Sequence, residues 1–256
     1  MPTVDSDALS GFAKGLSVIE TFGAGRQRQS ISQVAAAAGL DRATARRCLL
    51  TLAQLGYAEH DGKYFTLTPR VLRLGAGCLA AMPLPQLVQP WIDRLSEEIG
   101  QSSSVSILDG PEIVYIARAA QRRVMAIALM PGSRLPAFCT SMGRVLLAAL
   151  RDAEARAVLA AAPLRARTPR TVTDPDAVMV RIAQVRRIGH ALIDQEVEIG
   201  LRSIAVPIHD ARGRVVAALN VGVAATQPDI AAVAQAYLAP LLAIQTGLRK
   251  VINAPG

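Results

Sequence analysis

Three groups of residues have the types and spacing to do chemistry. Five arginines, at 26, 28, 42, 46 and 47, share a stretch with a single acid, Asp41. Such a set suits a polyanion, because guanidinium groups neutralise phosphates and read guanine edges bidentately. Second, Arg134 lies in a loop just before Thr140-Ser141-Met142-Gly143, where a helix opens. A helix N-terminus attracts anions, so the hydroxyls of Thr140 and Ser141, the amides of Met142 and Gly143, and a clamp by Arg134 would together hold a carboxylate. Third, Asp194, Glu196 and Glu198 alternate as on one face of a strand end. That pattern fits acid–base work or a divalent ion, and fits more simply a solvated edge with ion pairs to Arg202.

Other chemistries lack their parts. Cys48, Cys78 and Cys139 are far apart, His60, His190 and His209 do not group with them, and neither CxxC nor HExxH spacing occurs. No metal or cofactor is expected. Cys139 has no histidine near it and no GxSxG elbow is present, so no nucleophile–base pair supports an enzyme. Competing with the carboxylate site are plainer roles: Arg134 as a surface ion-pair residue, Ser141 as a helix cap, Asn220 as a core hydrogen-bonding residue.

The 256 residues are 51% hydrophobic and only 4% aromatic, with 28 Lys+Arg against 20 Asp+Glu, a net charge of +8. That length suits one or two domains with a core of small and branched aliphatics. Residues 1–82 carry net +3 and 83–256 net +5, so overall charge does not locate a partner. The arginine cluster over 165–187 reads as a solvated face. Met1 to Ser10 contains Asp5 and Asp7 and no apolar run, and no window approaches 18 uninterrupted apolar residues. The expectation is a soluble, cytoplasmic protein without membrane contact.

The elements that would position the arginines follow from period and punctuation. Phe12, Leu16, Ile19 and Phe22 fall at helical spacing before Gly23. Ser30 opens a short helix broken by Gly39, and Asp41 reads as the N-cap of a longer one over 42–54. Ala45, Cys48, Leu49 and Leu52 share its inner face; Ala43, Arg46, Arg47 and Leu50 share the outer one, with Arg42 and Thr44 in the first turn. Helix, glycine turn, helix is helix-turn-helix grammar. The Asp61-Gly62 pair between alternating residues marks a hairpin, a wing with Lys63 at its tip. The DNA-contact candidates are Ser30, Arg42, Ala43, Thr44, Arg46, Arg47 and Lys63.

Pro83 and Pro85 mark a boundary. Beyond it lie a helix over 87–99, strands over 104–108, 112–117 and 124–129, and the helix from 141. A further helix begins at Asp174-Pro175, strands follow over 191–193, 203–208 and 215–223, and a closing helix runs over 229–251. Strands and helices around one mostly antiparallel sheet give an α+β ligand-binding domain of GAF/PAS type. Asn220 is a polar residue inside an apolar strand and needs a partner.

Several segments together resemble the IclR-type transcription regulators: Gly15-Leu16-Ser17-Val18-Ile19, Ala38-Gly39-Leu40-Asp41-Arg42-Ala43-Thr44-Ala45-Arg46-Arg47, Leu67-Thr68-Pro69-Arg70-Val71-Leu72-Arg73-Leu74-Gly75 and Gly200-Leu201-Arg202-Ser203-Ile204-Ala205-Val206-Pro207. Gly132 to Pro136, Asp194-Gln195-Glu196 and Asp109 to Tyr115 are most similar to the PcaR/PcaU/PobR branch, which governs aromatic-acid catabolism through the β-ketoadipate pathway. The resemblance implies a winged helix-turn-helix domain over 1–68, a linker helix over 69–85 and an effector domain over 86–256. It also implies a pocket including Ser203, Asn220, Gly222 and Asp194, and a dimer or dimer of dimers on operator DNA. The implied effector is a small aromatic or dicarboxylic acid, such as 4-hydroxybenzoate, protocatechuate or β-ketoadipate. Activation, with RNA polymerase as a partner, is the implied direction. A repressor answering another organic acid, and a non-DNA-binding sensor or enzyme, are the alternatives.

Overall fold

The computed structural model describes residues 9–23, 25–81, 83–121, 129–226 and 229–252, in two compact units, 1–81 and 82–256. The strand expected over 124–129 lies outside the described residues except for Leu129.

The first unit runs α1 (Ser10–Glu20), β1 (Arg28–Gln29), α2 (Ile31–Ala38), α3 (Arg42–Gln54), β2 (Ala58–His60), β3 (Phe65–Leu67), a 3-10 turn (Pro69–Val71) and α4 (Leu72–Ala81). Local signals set each boundary. The Ser30 hydroxyl accepts from the Gln33 amide while the Gln33 side chain accepts from the Ser30 amide, a capping box that starts α2. Gly39, at φ 66°, ends it in the left-handed region where a side chain is disfavoured. Asp41 then accepts the Thr44 amide at 2.8 Å and starts α3. The strands order as β1-β3-β2, all antiparallel. Val18, Val34, Ala35, Ala45, Leu49, Leu52, Ala58 and Phe65 form the core. Phe12 and Leu16, on helical spacing with Ile19, stay 69% and 42% exposed, and line an open groove of about 660 Å³ with Leu55 and Leu74.

The second unit comprises α5 (Pro83–Ile99), β4 (Ser102–Asp109), β5 (Glu112–Ala119), β6 (Arg134–Pro136), a 3-10 turn (Ala137–Cys139), α6 (Ser141–Ala148), α7 (Asp152–Ala160), α8 (Pro175–Ile188), β7 (Ala191–Asp194), β8 (Leu201–His209), β9 (Val215–Ala224) and α9 (Ile230–Val251). Pro83, at the expected boundary, begins α5, where its missing N–H costs nothing. The sheet order is β6-β5-β4-β9-β8-β7 with every neighbour antiparallel. Alternation splits the central strands between two cores. Val105, Ile204, Leu219 and Val221 pack with Val88, Ile92 and Leu95 of α5 and Leu241, Ile244 and Leu248 of α9. The opposite face packs under α6, backed by α7 and α8. By length and composition α9 alone among the described helices could cross a membrane, yet its Val233, Leu241, Ile244 and Leu248 are buried in this core. It also approaches α5 closely: a Cβ on Gly247 would lie 2.2 Å from the Trp91 ring.

Candidate functional site

On the first unit, α3 presents Arg42, Ala43, Arg46, Arg47 and Leu50 outward, and all are exposed. Thr44 is not part of that surface: it is buried, its amide is held by Asp41, and its hydroxyl accepts from an Arg47 Nη at 3.3 Å. The bond to Thr44 holds the Asp41 carboxyl below its ordinary range. Ser30 has its hydroxyl and amide engaged in the capping box that starts α2. At the wing, Asp61 accepts the Lys63 and Tyr64 amides and the Arg28 guanidinium, which fixes the turn and holds its carboxyl well below the usual range. Arg28, one of the five clustered arginines, is therefore occupied within the protein. Arg28 and Lys63 both lie over the Tyr64 ring, at 4.3 and 5.2 Å, and Lys63 stays exposed at the tip.

On the second unit, the face of the sheet under α6 carries a cavity of about 40 Å³. Its polar lining is Ser102, Ser104, Tyr115, Arg118, Thr140, Ser141, Ser203 and Asn220, with Met142, Leu129, Leu135, Val197, Leu201 and Gly222 between them. Register brings these together. Ser104 stands opposite both Asn220 and Arg118, and Gly222 stands between Ser102 and Ser203, so two cross-strand rows share one face. Tyr115 and Arg118 are three apart, an odd spacing that ordinary alternation puts on opposite faces. A bulge opposite Val105 and Ser106 inserts Ile116 and returns both to the cavity side. The α6 N-terminus completes the wall. Thr140 caps it by accepting the Gly143 amide at 3.1 Å, and Ser203 donates to the Ser141 hydroxyl at 2.9 Å.

Among the described lining residues Arg118 is the one cation. One Nη donates to the Ser104 hydroxyl at 3.1 Å, and among the described residues no carboxylate lies within ion-pair range of it. Partial burial pushes its pKa down, the mark of a charge short of solvent. Burial likewise raises the Tyr115 hydroxyl to about 12, so it is a neutral donor at any physiological pH.

Six expected residues therefore line the cavity: Thr140, Ser141, Met142, Ser203, Asn220 and Gly222. Three do not. Arg134 sits on edge strand β6, 43% exposed, with 2.7 Å ion pairs to Asp109 and Glu112 across the β4–β5 hairpin. It is the surface residue of the plainer reading. Gly143 is required for packing instead, since a Cβ there would lie 2.1 Å from the Ala137 carbonyl oxygen, and its amide is already held by Thr140. Asp194 faces away from the cavity and pairs with Arg202 at 2.6 Å and Arg170 at 2.7 Å. Nor do the three carboxylates share a strand face. The strand ends at Asp194, and Gln195 takes φ 62°, the one left-handed residue other than glycine among those described. Glu196 turns inward to a buried pair with Arg144 of α6. The 165–187 arginines are more than a solvated face: Arg167, Arg170 and Arg186 tether Val197, Asp194 and the end of α6. Among the described residues no group of His, Cys, Asp or Glu could hold a metal ion, and burial raises the Cys139 thiol to about 12.

A winged helix-turn-helix unit and an α+β unit with a polar cavity, joined in one chain, define a ligand-responsive DNA-binding regulator. The family model for the IclR helix-turn-helix domain matches residues 12–62, and that for the bacterial transcriptional regulator IclR C-terminal domain matches 76–245. The chain is similar to the Pca regulon regulatory protein of Pseudomonas putida, 44% identical over 96% of this chain and 85% of that one. It is 38% identical to the p-hydroxybenzoate hydroxylase transcriptional activator of Acinetobacter baylyi, over 84% of this chain and 81% of the other. A crystal structure of an IclR homolog from Microbacterium hydrocarbonoxydans complexed with 4-hydroxybenzoate superposes with a TM-score of 0.74 at 27% identity, covering 94% of this chain and 100% of that one. The chain belongs to the IclR family of transcriptional regulators, in the branch of the Pca and p-hydroxybenzoate regulators.

Proposed function

We propose that this regulator controls genes of aromatic-acid catabolism, as an activator, in response to a ring carboxylate held in the α6 cavity. The observation that carries this reading is Arg118, a half-buried cation without a carboxylate partner that faces a wall of hydroxyls. A carboxylate would take the guanidinium fork, and the Ser141–Ser203 hydroxyl pair with the neutral Tyr115 would read a hydroxyl or keto group on the same ligand. 4-Hydroxybenzoate and protocatechuate have that pattern; β-ketoadipate offers a carboxylate and a keto group, but among the described lining residues its second carboxylate would meet no second cation. The relatives named for the Pca regulon and for p-hydroxybenzoate hydroxylase, and the 4-hydroxybenzoate complex of a homolog, support the same class.

The cavity, about 40 Å³, is well below the roughly 150 Å³ that holds a benzene ring. An acid that binds a wider form of the cavity better favours that form by its difference in affinity, which is what a switch requires. We assign DNA binding to 1–68, the connection to 69–85 and acid sensing to 86–256. Arg42, Arg46 and Arg47 would enter the major groove and Lys63 contact phosphate, in two copies on a pseudo-palindrome. A homodimer or dimer of dimers in the cytoplasm, contacting RNA polymerase and without enzymatic activity, completes the proposal.

The test pairs a thermal-shift screen of the three acids with a mobility-shift assay on DNA upstream of the gene. One ring acid is expected to raise the melting temperature and alter operator affinity. If no acid shifts the melting temperature at millimolar concentration, the cavity assignment fails; if no sequence-selective, salt-steep binding occurs, the regulatory one fails.

A further inference from the structure

We propose that Arg144 and Glu196 are positioning residues of the acid site: their buried ion pair fixes the wall formed by Val197 and Leu201 against the α6 N-terminus. The inference rests on the acid-binding reading for its functional consequence, and on geometry for the rest. Two walls of the cavity come from segments far apart in sequence, Thr140 to Met142 and Val197 to Leu201. One turn into α6, Arg144 is 4% exposed; its Nε donates to the Phe138 carbonyl at 3.0 Å and an Nη to Glu196 at 2.7 Å. Glu196, 10% exposed, accepts the Val172 amide with the same oxygen.

The turn over 195–200 contains this anchor and the wall on adjacent residues, so Glu196 faces α6 while Val197 faces the cavity. The turn is not a relaxed one. Gln195 is left-handed at φ 62°, and its side chain accepts the Gly200 amide at 3.0 Å to close the loop. Outside, Thr168 and Thr171 donate to the carbonyls of Gln195 and Glu196, and Arg167 to that of Val197. Those bonds tie the turn to the 167–172 segment. Among the bonds of Gln195, Glu196 and Val197, the ion pair is the one that ties the turn to α6, whose first turn carries Thr140 and Ser141. A turn held in a sparsely populated conformation moves when its anchor is lost, and Val197 moves with it.

The test uses the full-length protein as Glu196→Gln and as the double variant Arg144→Met/Glu196→Gln. Removing both charges leaves no unpaired buried ion, so the double variant is expected to recover the melting temperature of the parent to within about 2 °C. Its affinity for 4-hydroxybenzoate and protocatechuate, titrated by calorimetry, should nevertheless stay at least tenfold below the parent, as in Glu196→Gln. Without acid, amide exchange in a peptide over 195–203 should be at least tenfold faster in both variants. A pair that is merely structural would instead give parental acid affinity once stability returns. That result, or unchanged exchange over 195–203, overturns the inference. If the parent binds neither acid, the acid-binding reading falls, and the exchange measurement alone still decides whether the pair holds the turn.

Discussion

Replacing Arg118 by Met removes the fork from the cavity and keeps an unbranched apolar stem. In the proposed complex a carboxylate takes two charge-assisted hydrogen bonds from this guanidinium. Such bonds contribute about 1.5–3 kcal/mol each, and a carboxylate left unpaired in a closed site costs about 2–5 kcal/mol. These overlap, because the second figure is largely the loss of the first. Arg118 is only half-buried, so solvent screens part of the effect. The expectation is about 2–4 kcal/mol, roughly a 30- to 1,000-fold loss of acid affinity. Arg118→Lys, which keeps the charge but not the fork, should fall between. Calorimetry against 4-hydroxybenzoate and 4-hydroxybenzamide makes the measurement specific, since the uncharged amide should lose little when Arg118 goes. Stability should move the other way. Without acid, Arg118 is a partly desolvated cation with one hydrogen bond, so the Met variant should melt no lower than the parent. Acid affinity within threefold of the parent, or an equal loss for acid and amide, would refute the clamp.

Other perturbations reach the remaining parts. Arg46→Ala or Arg47→Ala should each cost about 1–3 kcal/mol of operator affinity and relax base preference, whereas Lys63→Ala should weaken all sequences alike and reduce the salt slope by about 1, read by fluorescence anisotropy. Gly143→Ala forces a Cβ to 2.1 Å from the Ala137 oxygen and 2.4 Å from its Cα, both backbone atoms that cannot move cheaply. Overpacking at the upper end, about 3 kcal/mol, should lower the melting temperature by roughly 6–12 °C. Asp61 has its folded pKa depressed by the Tyr64 amide and Arg28, so its contribution is present above its unfolded value of about 3.9 and is lost as pH falls through the folded one. The melting-temperature deficit of Asp61→Asn should therefore be full at pH 7 and shrink below pH 4; a pH-independent deficit would contradict this.

The helix-turn-helix was legible because its determinants are local. Ser30 with Gln33, Gly39, and Asp41 with Thr44 each act within three residues, and the Asp61-Gly62 turn joins its own neighbours. The cavity was half legible for the opposite reason. Thr140, Ser141 and Met142 follow from one helix start, but the cation facing them depends on register. Period-two alternation separates Tyr115 from Arg118, and only the bulge at Ile116, visible in the pairing with β4, reunites them. Arg134 looked free because its acids, Asp109 and Glu112, precede it by more than 20 residues and reach it through β5–β6 pairing. The signal that singled out Asn220, a polar residue within an apolar strand, applied equally to Arg118.

Charge alone does not separate these arginines; its compensation does. Arg134 and Arg118 each add one unit to the net +8, Arg118 on β5 and Arg134 on the neighbouring β6. Arg134, 43% exposed, is neutralised by two carboxylates at 2.7 Å, while Arg118 faces a cavity with only a serine hydroxyl in answer among the described residues. A ligand carboxylate approaching Arg134 would have to displace Asp109 and Glu112, gaining one ion pair by breaking two. An exposed pair itself contributes only about 0–1 kcal/mol. Arg134→Gln should therefore lower stability slightly and leave both acid and operator affinity within threefold of the parent, although it lowers the net charge as much as Arg118→Gln does. Calorimetry of the two variants side by side decides between them. A tenfold loss of acid affinity in Arg134→Gln, with Arg118→Gln unaffected, would return the clamp to the β6 edge and remove the argument that an uncompensated cation marks the site.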